Sequence, residues 1–430
     1  MRRALILLAL LSAPAFAETV AITGGTVAIG DGGAPAPGTV VIRDGRIVAA
    51  GPNAAVPPGA RIVDARGKWV APGFVAGFTR LGLVGVDAVD ETNDASARTT
   101  PFSAAIDVAP AINPRVPAIA ISRAAGVTRA IVAPETASTM FAGQGAVIDT
   151  GQDGDAVMRA RAFQFVEFGE TGARRAGGSR PAAHLFFRNA LAEARDYARN
   201  PASYDGRSKD SILTRADAAA LVPVVEGREP LFVHVESGGD ILQTIALRKD
   251  FPALKLVIVG ASEGWTVAAQ LAAARIPVIA SPLNDLPASF EALAATQSNI
   301  GRMKAAGVEV AIGTIDDDDA RMAQRSPQYA GNLVALQRIP GAKGLTWGEA
   351  LATITSKPAE IAGLGGEIGS LLPGRRADVV IWSGDPLELT SAAEHVWIDG
   401  VEQSLVTRQT RLRDRYLKPG EGDMPKAYER

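Results

Sequence analysis

Residues 72–83 read PGFVAGFTRLGL, and they mark the seam on which the reading of the fold turns. Pro72-Gly73 is a turn signal, and the apolar run behind it has the texture of a strand buried on both faces. Such a strand belongs inside an α/β unit rather than on the half-exposed sheet of a small β domain. Upstream the texture differs. TVAITGGTVAI and GTVVIRDGRIVAAG alternate with a period near two, and Asp44-Gly45 sits where a tight hairpin turn belongs. The other end of the chain repeats this in ADVVIWSG and HVWIDGVEQSLV, with a second such turn at Asp399-Gly400. Two β-rich ends around an unlike middle predict a small composite β-sandwich from residues 18–71 and 366–415, into which residues 72–365 are inserted.

The insert alternates strand-like and helical runs. The strand candidates after the seam are GVTRAIVAP, PLFVHVES, KLVIVGAS, IPVIASP and VEVAIGT. The helix candidates include PAAHLFFRNALAEARDYARN, WTVAAQLAAARI and SFEALAATQSNIGRMKAAGV, the last stopped by Gly307. Strands apolar on both faces, separated by helices, fit a parallel sheet, and the length suits an α/β fold of the (β/α)8 TIM-barrel type. A doubly wound sheet competes, but no glycine-rich phosphate loop follows the first strand.

Composition narrows the function. With 44 basic and 46 acidic residues the net charge is -2, which gives no long-range attraction for nucleic acid or an anionic membrane. The opening MRRALILLALLSAPAFA, residues 1–17, has the charged start, short apolar run and small-x-small ending of a secretory signal. An exported, periplasmic or extracellular protein without a membrane span is the expectation. The absence of Cys excludes disulfides, thiolate metal sites and a Cys nucleophile. The polar tail, residues 416–430, is expected along the surface or frayed.

Residues 344–388, GLTWGEALATITSKPAEIAGLGGEIGSLLPGRRADVVIWSGDPLE, closely resemble the C-terminal signature of the amidohydrolase superfamily in its imidazolonepropionase-like branch. So do DGRIVAAG and VDARGKWVAPGFV near the front, and GVTRAIVAP, GQGAVID and GGSRPAA between them. The element Gly369–Asp378 is the most specific part, and the resemblance covers nearly the whole chain after the signal. It implies a barrel inserted in a β-sandwich of both termini. It also implies hydrolysis of non-peptide C–N bonds, in amides, lactams or cyclic imides, by water activated on one or two divalent metals such as zinc at the C-terminal barrel face. The family ligands are a His-x-His after the first barrel strand, a His on the fifth, a His on the sixth and an Asp on the eighth; some members add a carboxylated Lys on the fourth.

Here the chain departs from its family. Phe78 and Arg80 stand at the His-x-His positions, Gly260 where the sixth-strand His is usual, and Ile315 at the Asp position with Asp316 displaced by one. No Lys occurs in RAFQFVEFG, the fourth-strand region. Only His234, on the fifth strand, is kept, and His184 and His395 are the other two histidines of the chain. Phenylalanine has no lone pair, and a guanidinium repels a divalent ion. Without the metal nothing lowers the pKa of water from about 15.7 towards about 7.

Two readings remain. In one, this is a degenerate, metal-free amidohydrolase relative acting as a binding or scaffold subunit, with a small-molecule ligand, as a homo-oligomer or beside a metal-bearing relative. In the other, an active C–N hydrolase uses one divalent metal at a reduced site around His234 and Asp316, with Glu236 two residues from His234. The acidic run Asp316–Asp319 is a hard-cation candidate or a solvated charge cluster. Glu263 and Trp265 are pocket or core candidates, and Arg180 is an anion-site or surface candidate. On the first reading, His234→Ala leaves folding nearly intact, and restoring Phe78→His, Arg80→His, Gly260→His and Ile315→Asp together creates divalent affinity.

Overall fold

The structure, a computed structural model, describes residues 18–417 apart from 87, 203, 206, 208–210, 283 and 316–321. The signal segment 1–17, the tail from 418 and Asp316 with its acidic run therefore lie outside the described residues. Among the described residues no helix is long and apolar enough to cross a membrane.

The chain opens with five strands, β1 (Val20–Val27), β2 (Ala36–Arg43), β3 (Arg46–Gly51), β4 (Arg61–Asp64) and β5 (Trp69–Pro72). The insert supplies β6 (Phe74–Thr79), β7 (Val127–Val132), β8 (Phe141–Asp149), β9 (Val157–Glu167), β10 (Pro230–Val235), β11 (Lys255–Gly260), β12 (Val278–Ala280) and β13 (Val310–Ile312). Three more strands, β14 (Val379–Trp382), β15 (Ala393–Ile398) and β16 (Val401–Glu402), close the β-rich unit. Both ends thus meet in one connected sheet of order β16-β15-β14-β5-β1-β2-β3, from which β4 branches at β1. Its core is a cluster that includes Val20, Ile22, Val40, Ile42, Val379, Ile381 and Trp397.

Both Asp-Gly turns form as expected, and they lie against each other. Asp44 and Gly45 have φ of 53° and 70°, Asp399 and Gly400 of 52° and 77°, the left-handed pair that a type I′ turn requires. A Cβ on Gly45 would stand 2.6 Å from the Asp399 carbonyl oxygen, so contact between the turns as well as backbone conformation demands glycine there.

The insert is an eight-stranded sheet in sequence order from β6 to β13. Its closing edge is drawn together where the Thr314 N–H and hydroxyl both donate to the Phe78 carbonyl, at 3.1 and 2.8 Å. Gly77 permits this approach, since a Cβ there would lie 2.3 Å from the Ile312 carbonyl oxygen. Inward side chains such as Val75, Phe163, Phe232, Val257 and Ile279 fill the interior, with Phe163 stacked on Phe232 at 4.1 Å. The filled centre is that of a TIM-type barrel.

Two expectations need correction. The barrel is not wholly parallel, because β8 runs antiparallel to both β7 and β9. The segment FAGQGAVID is buried throughout, which gives no alternation to reveal the hairpin it makes with β9. The helix expected from Ser289 begins only at Asn299 and ends at Ala305. The preceding residues are held in loop form by contacts such as Glu263 Oε1 accepting from the Ala294 N–H at 2.9 Å, while Gly307 at φ 89° does terminate the helix.

An ion cluster joins barrel to sheet. Arg129 on β7 is fully buried and grips Asp378 through Nε and Nη2, both at 2.7 Å, while Nη2 also meets Asp399 at 2.9 Å. Burial opposes the charge on Arg129, but Asp378 and Asp399 outweigh it and hold its pKa above the ordinary guanidinium value. Removing one partner leaves a buried charge uncompensated. Asp378→Ala should therefore cost about 3–5 kcal/mol, read from urea denaturation midpoints.

Below the barrel, Glu229 precedes β10 with only 8% of its surface exposed, and its Oε1 has no hydrogen-bond partner. Burial pushes its pKa from 4.5 up to about 7, against the pull of Arg161 and Arg228. The folded state thus holds a proton that the unfolded chain releases nearer 4.5, so this contribution is fully present below that value and is lost as pH rises through about 7. Glu229→Gln should flatten the fall in thermal midpoint between pH 5 and pH 8 and raise the midpoint at pH 8; an unchanged profile would refute the assignment.

Candidate functional site

A cavity of about 620 Å³ opens at the C-terminal ends of the barrel strands, lined among others by Phe78, Arg80, Glu135, Glu167, His234 and Ile315. Phe78 is buried and sits edge-on to Phe165 at 5.1 Å. Ile315 packs against the barrel interior. The positions read from sequence as degenerate ligand sites thus form an apolar floor with a guanidinium above it: Arg80 lies over the Phe78 ring at 4.9 Å.

His234 is held from both sides. Its Nδ1 bonds Glu167 Oε2 at 2.6 Å and its Nε2 bonds Glu236 Oε1 at 2.7 Å. Glu236 in turn accepts from the Ser262 N–H at 2.8 Å. Carboxylates only accept, so an imidazole that satisfies both must donate from both nitrogens. Burial pulls the His234 pKa down, yet Glu167 and Glu236 outweigh it and the value stands well above that of a free imidazole. For Glu236, burial raises the pKa, but His234 and Ser262 prevail and keep it below the ordinary carboxyl value. The site is therefore an imidazolium between two carboxylates.

Sequence reasoning brought His234 and Glu236 together correctly but missed Glu167. The signal is present in the sequence: Glu167 is the acid that closes the strand β9, at the end of a buried apolar run. Asp316, the other proposed ligand, lies outside the described residues.

These residues do not fit a divalent ion. Both His234 nitrogens are committed to carboxylates, which leaves no lone pair to give. Arg80 contributes positive charge at the same mouth. At Gly260, φ is 92° and a Cβ would fall 2.3 Å from Glu236 Oε1 and 2.8 Å from His234 Cδ2. Glu236 fills the space a sixth-strand histidine would need, so the fourfold restoration cannot bring an imidazole to position 260 without moving it. Among the described residues no group of three or more His, Asp and Glu is placed to hold a metal.

Other candidates are structural. Glu263 accepts from the Gly238 N–H at 3.0 Å as well as from Ala294, and Trp265 donates from Nε1 to the Ala294 carbonyl at 2.8 Å; together they pin one loop. Arg180 is taken up by Asp240 at 2.9 Å. His184 packs edge-on to Phe168, and His395 bonds Glu402 at 2.7 Å in the sheet unit.

A TIM-type barrel carrying its site at the C-terminal strand ends is the architecture of the metal-dependent amidohydrolases, and comparison with known proteins agrees. An amidohydrolase family model matches residues 262–402. The chain is 26% identical over 387 residues to the amidohydrolase tasK of Hapsidospora irregularis, a match covering 82% of this chain but only 38% of that longer protein. It is 26% identical over 390 residues to the imidazolonepropionase of Acidiphilium cryptum, covering 82% and 88%. An amidohydrolase from Thermotoga maritima MSB8 superposes with a TM-score of 0.78 at 27% identity, over 90% of this chain and 100% of that one. These matches support a place for the chain in the amidohydrolase superfamily, on its imidazolonepropionase-like branch.

The geometry also corrects the expectation that His234 is dispensable for folding. Its loss would leave two mostly buried carboxylates, 13% and 9% exposed, without their shared cation. His234→Ala should cost about 3–5 kcal/mol of unfolding free energy, and Glu236→Gln less, because a neutral amide still accepts one hydrogen bond. Equal stability of His234→Ala and wild type in urea would show that the pair is not formed.

Proposed function

We propose that this protein is an exported, metal-free relative of the amidohydrolases whose barrel mouth serves as a binding site, so that it acts as a binding or scaffold subunit alone or beside a metal-bearing relative. The observation that carries this reading is the locked His234. Amide hydrolysis needs a group that makes water nucleophilic at neutral pH, either a metal or a general base of suitable pKa. The imidazolium already holds a proton on each nitrogen, and Glu167 and Glu236 each give one oxygen to it. Relatives named as imidazolonepropionases and an amidohydrolase suggest small compounds bearing C–N bonds as the ancestral ligand class.

The rival reading, a hydrolase with one metal at His234 and Asp316, requires His234 to lose a proton and one carboxylate partner before it can ligate. Elemental analysis of protein purified without chelator decides between them. The expected result is far less than one zinc or other divalent ion per chain, with hydrolysis of a panel of lactams and cyclic imides at the buffer rate. Stoichiometric metal whose removal abolishes hydrolysis would overturn the proposal.

A further inference from the structure

The inference rests on the reading of the mouth as a binding site and concerns what enters it. Arg80 extends from the end of β6 into the cavity, where its guanidinium forms no hydrogen bond or ion pair with any described residue. Nε and Nη1 are buried without an acceptor. Its contacts are the faces of Phe78 at 4.9 Å and Phe165 at 5.8 Å, and the nearest opposing charges, Glu135 and Glu167, act on it only through space. Burial pushes its pKa down, against those two carboxylates, but a guanidinium remains charged at any pH that a folded protein meets.

Arg80 is half-buried, and a cation with two nitrogens shut away from solvent without acceptors is a costly arrangement in the empty protein. The two arginines buried most fully are satisfied: Arg129 has Asp378 and Asp399, and Arg123 donates to the carbonyls of Thr150 and Gly151. Arg375 and Arg376 each leave a buried Nε unmet, but among the described arginines only Arg80 leaves two such nitrogens. Glu167, the acid closest in function to a partner for Arg80, is turned to His234. The rest of the rim adds Arg98 and Arg175, with hydroxyls from Ser96, Ser138 and Thr171. Four cationic side chains, counting His234, thus line a space of about 620 Å³ with two carboxylates, Glu135 and Glu167, while Glu236 behind His234 adds a third; the volume is within the range that encloses a small organic molecule.

We propose that the mouth binds a small organic carboxylate, whose anionic group pairs with Arg80 and whose apolar body lies against the Phe78 and Phe165 floor. The guanidinium belongs to a residue at one of the positions where the family resemblance places a metal ligand, and it offers planar N–H donors matched to carboxylate oxygens. A carboxylate would supply the charge that the protein withholds from Arg80.

The test is isothermal titration of the full mature protein with benzoate, hexanoate, benzamide and inorganic phosphate, repeated on Arg80→Met and Arg80→Gln, with zinc content measured on the same preparations. At least one carboxylate is expected to bind one per chain, with benzamide at least about tenfold weaker and both variants at least about tenfold weaker for the carboxylate. Arg80→Met without ligand is also expected to melt above wild type, since it removes an uncompensated buried charge. Equal binding of benzamide and benzoate, undiminished binding by both variants, phosphate binding alone, or no carboxylate binding would each overturn the inference. Stoichiometric zinc in the same samples would instead bring down the metal-free reading beneath it.

Discussion

The chemistry of this barrel mouth depends on one short chain of hydrogen bonds, Glu167 to His234 to Glu236, with distances of 2.6 and 2.7 Å. It converts the single retained family histidine from a ligand into a cation. It also sets Glu236 where a side chain at position 260 would stand, so that Gly260, with φ 92°, is as much a consequence of the network as a lost ligand.

The scaffold beneath is held by different means. Arg129, Asp378 and Asp399 tie the barrel to the composite sheet, and the paired Asp-Gly turns lie against each other beside that joint. Arg129, Asp378 and the Asp44-Gly45 turn belong to stretches that resemble the family, and none of the groups at this joint lines the mouth cavity. Mouth and joint can therefore change separately. A barrel closed by backbone contact between Thr314 and Phe78 keeps its shape whether the side chain at position 78 is an imidazole or a phenyl ring, because the bond uses the carbonyl.

Positive charge gathers at the mouth, where Arg80, Arg98, Arg175 and His234 line one cavity. A metal-dependent relative holds a divalent ion that draws acidic groups and substrate oxygens towards it. Here Arg80 and His234 bring positive charge to the mouth that is fixed to the chain, and on the reading proposed above neither of them activates water.

Read alone, the residues determined a great deal that is local. The Asp-Gly turns, the buried strands GVTRAIVAP, PLFVHVES and KLVIVGAS, the long helix after Ser179 and the absence of imidazoles from the family positions all follow from residue type and spacing, because backbone conformation and lone pairs are properties of single residues. The β8–β9 hairpin was not legible, since uniform burial erases the alternation that marks a strand, nor was the loop before Asn299, whose backbone is held by distant side chains. The partnership of His234 with Glu167, 67 residues away, and the solitude of Arg80 were decided only by tertiary structure. Protonation and pairing depend on which groups meet in space, and that is set by how the barrel closes.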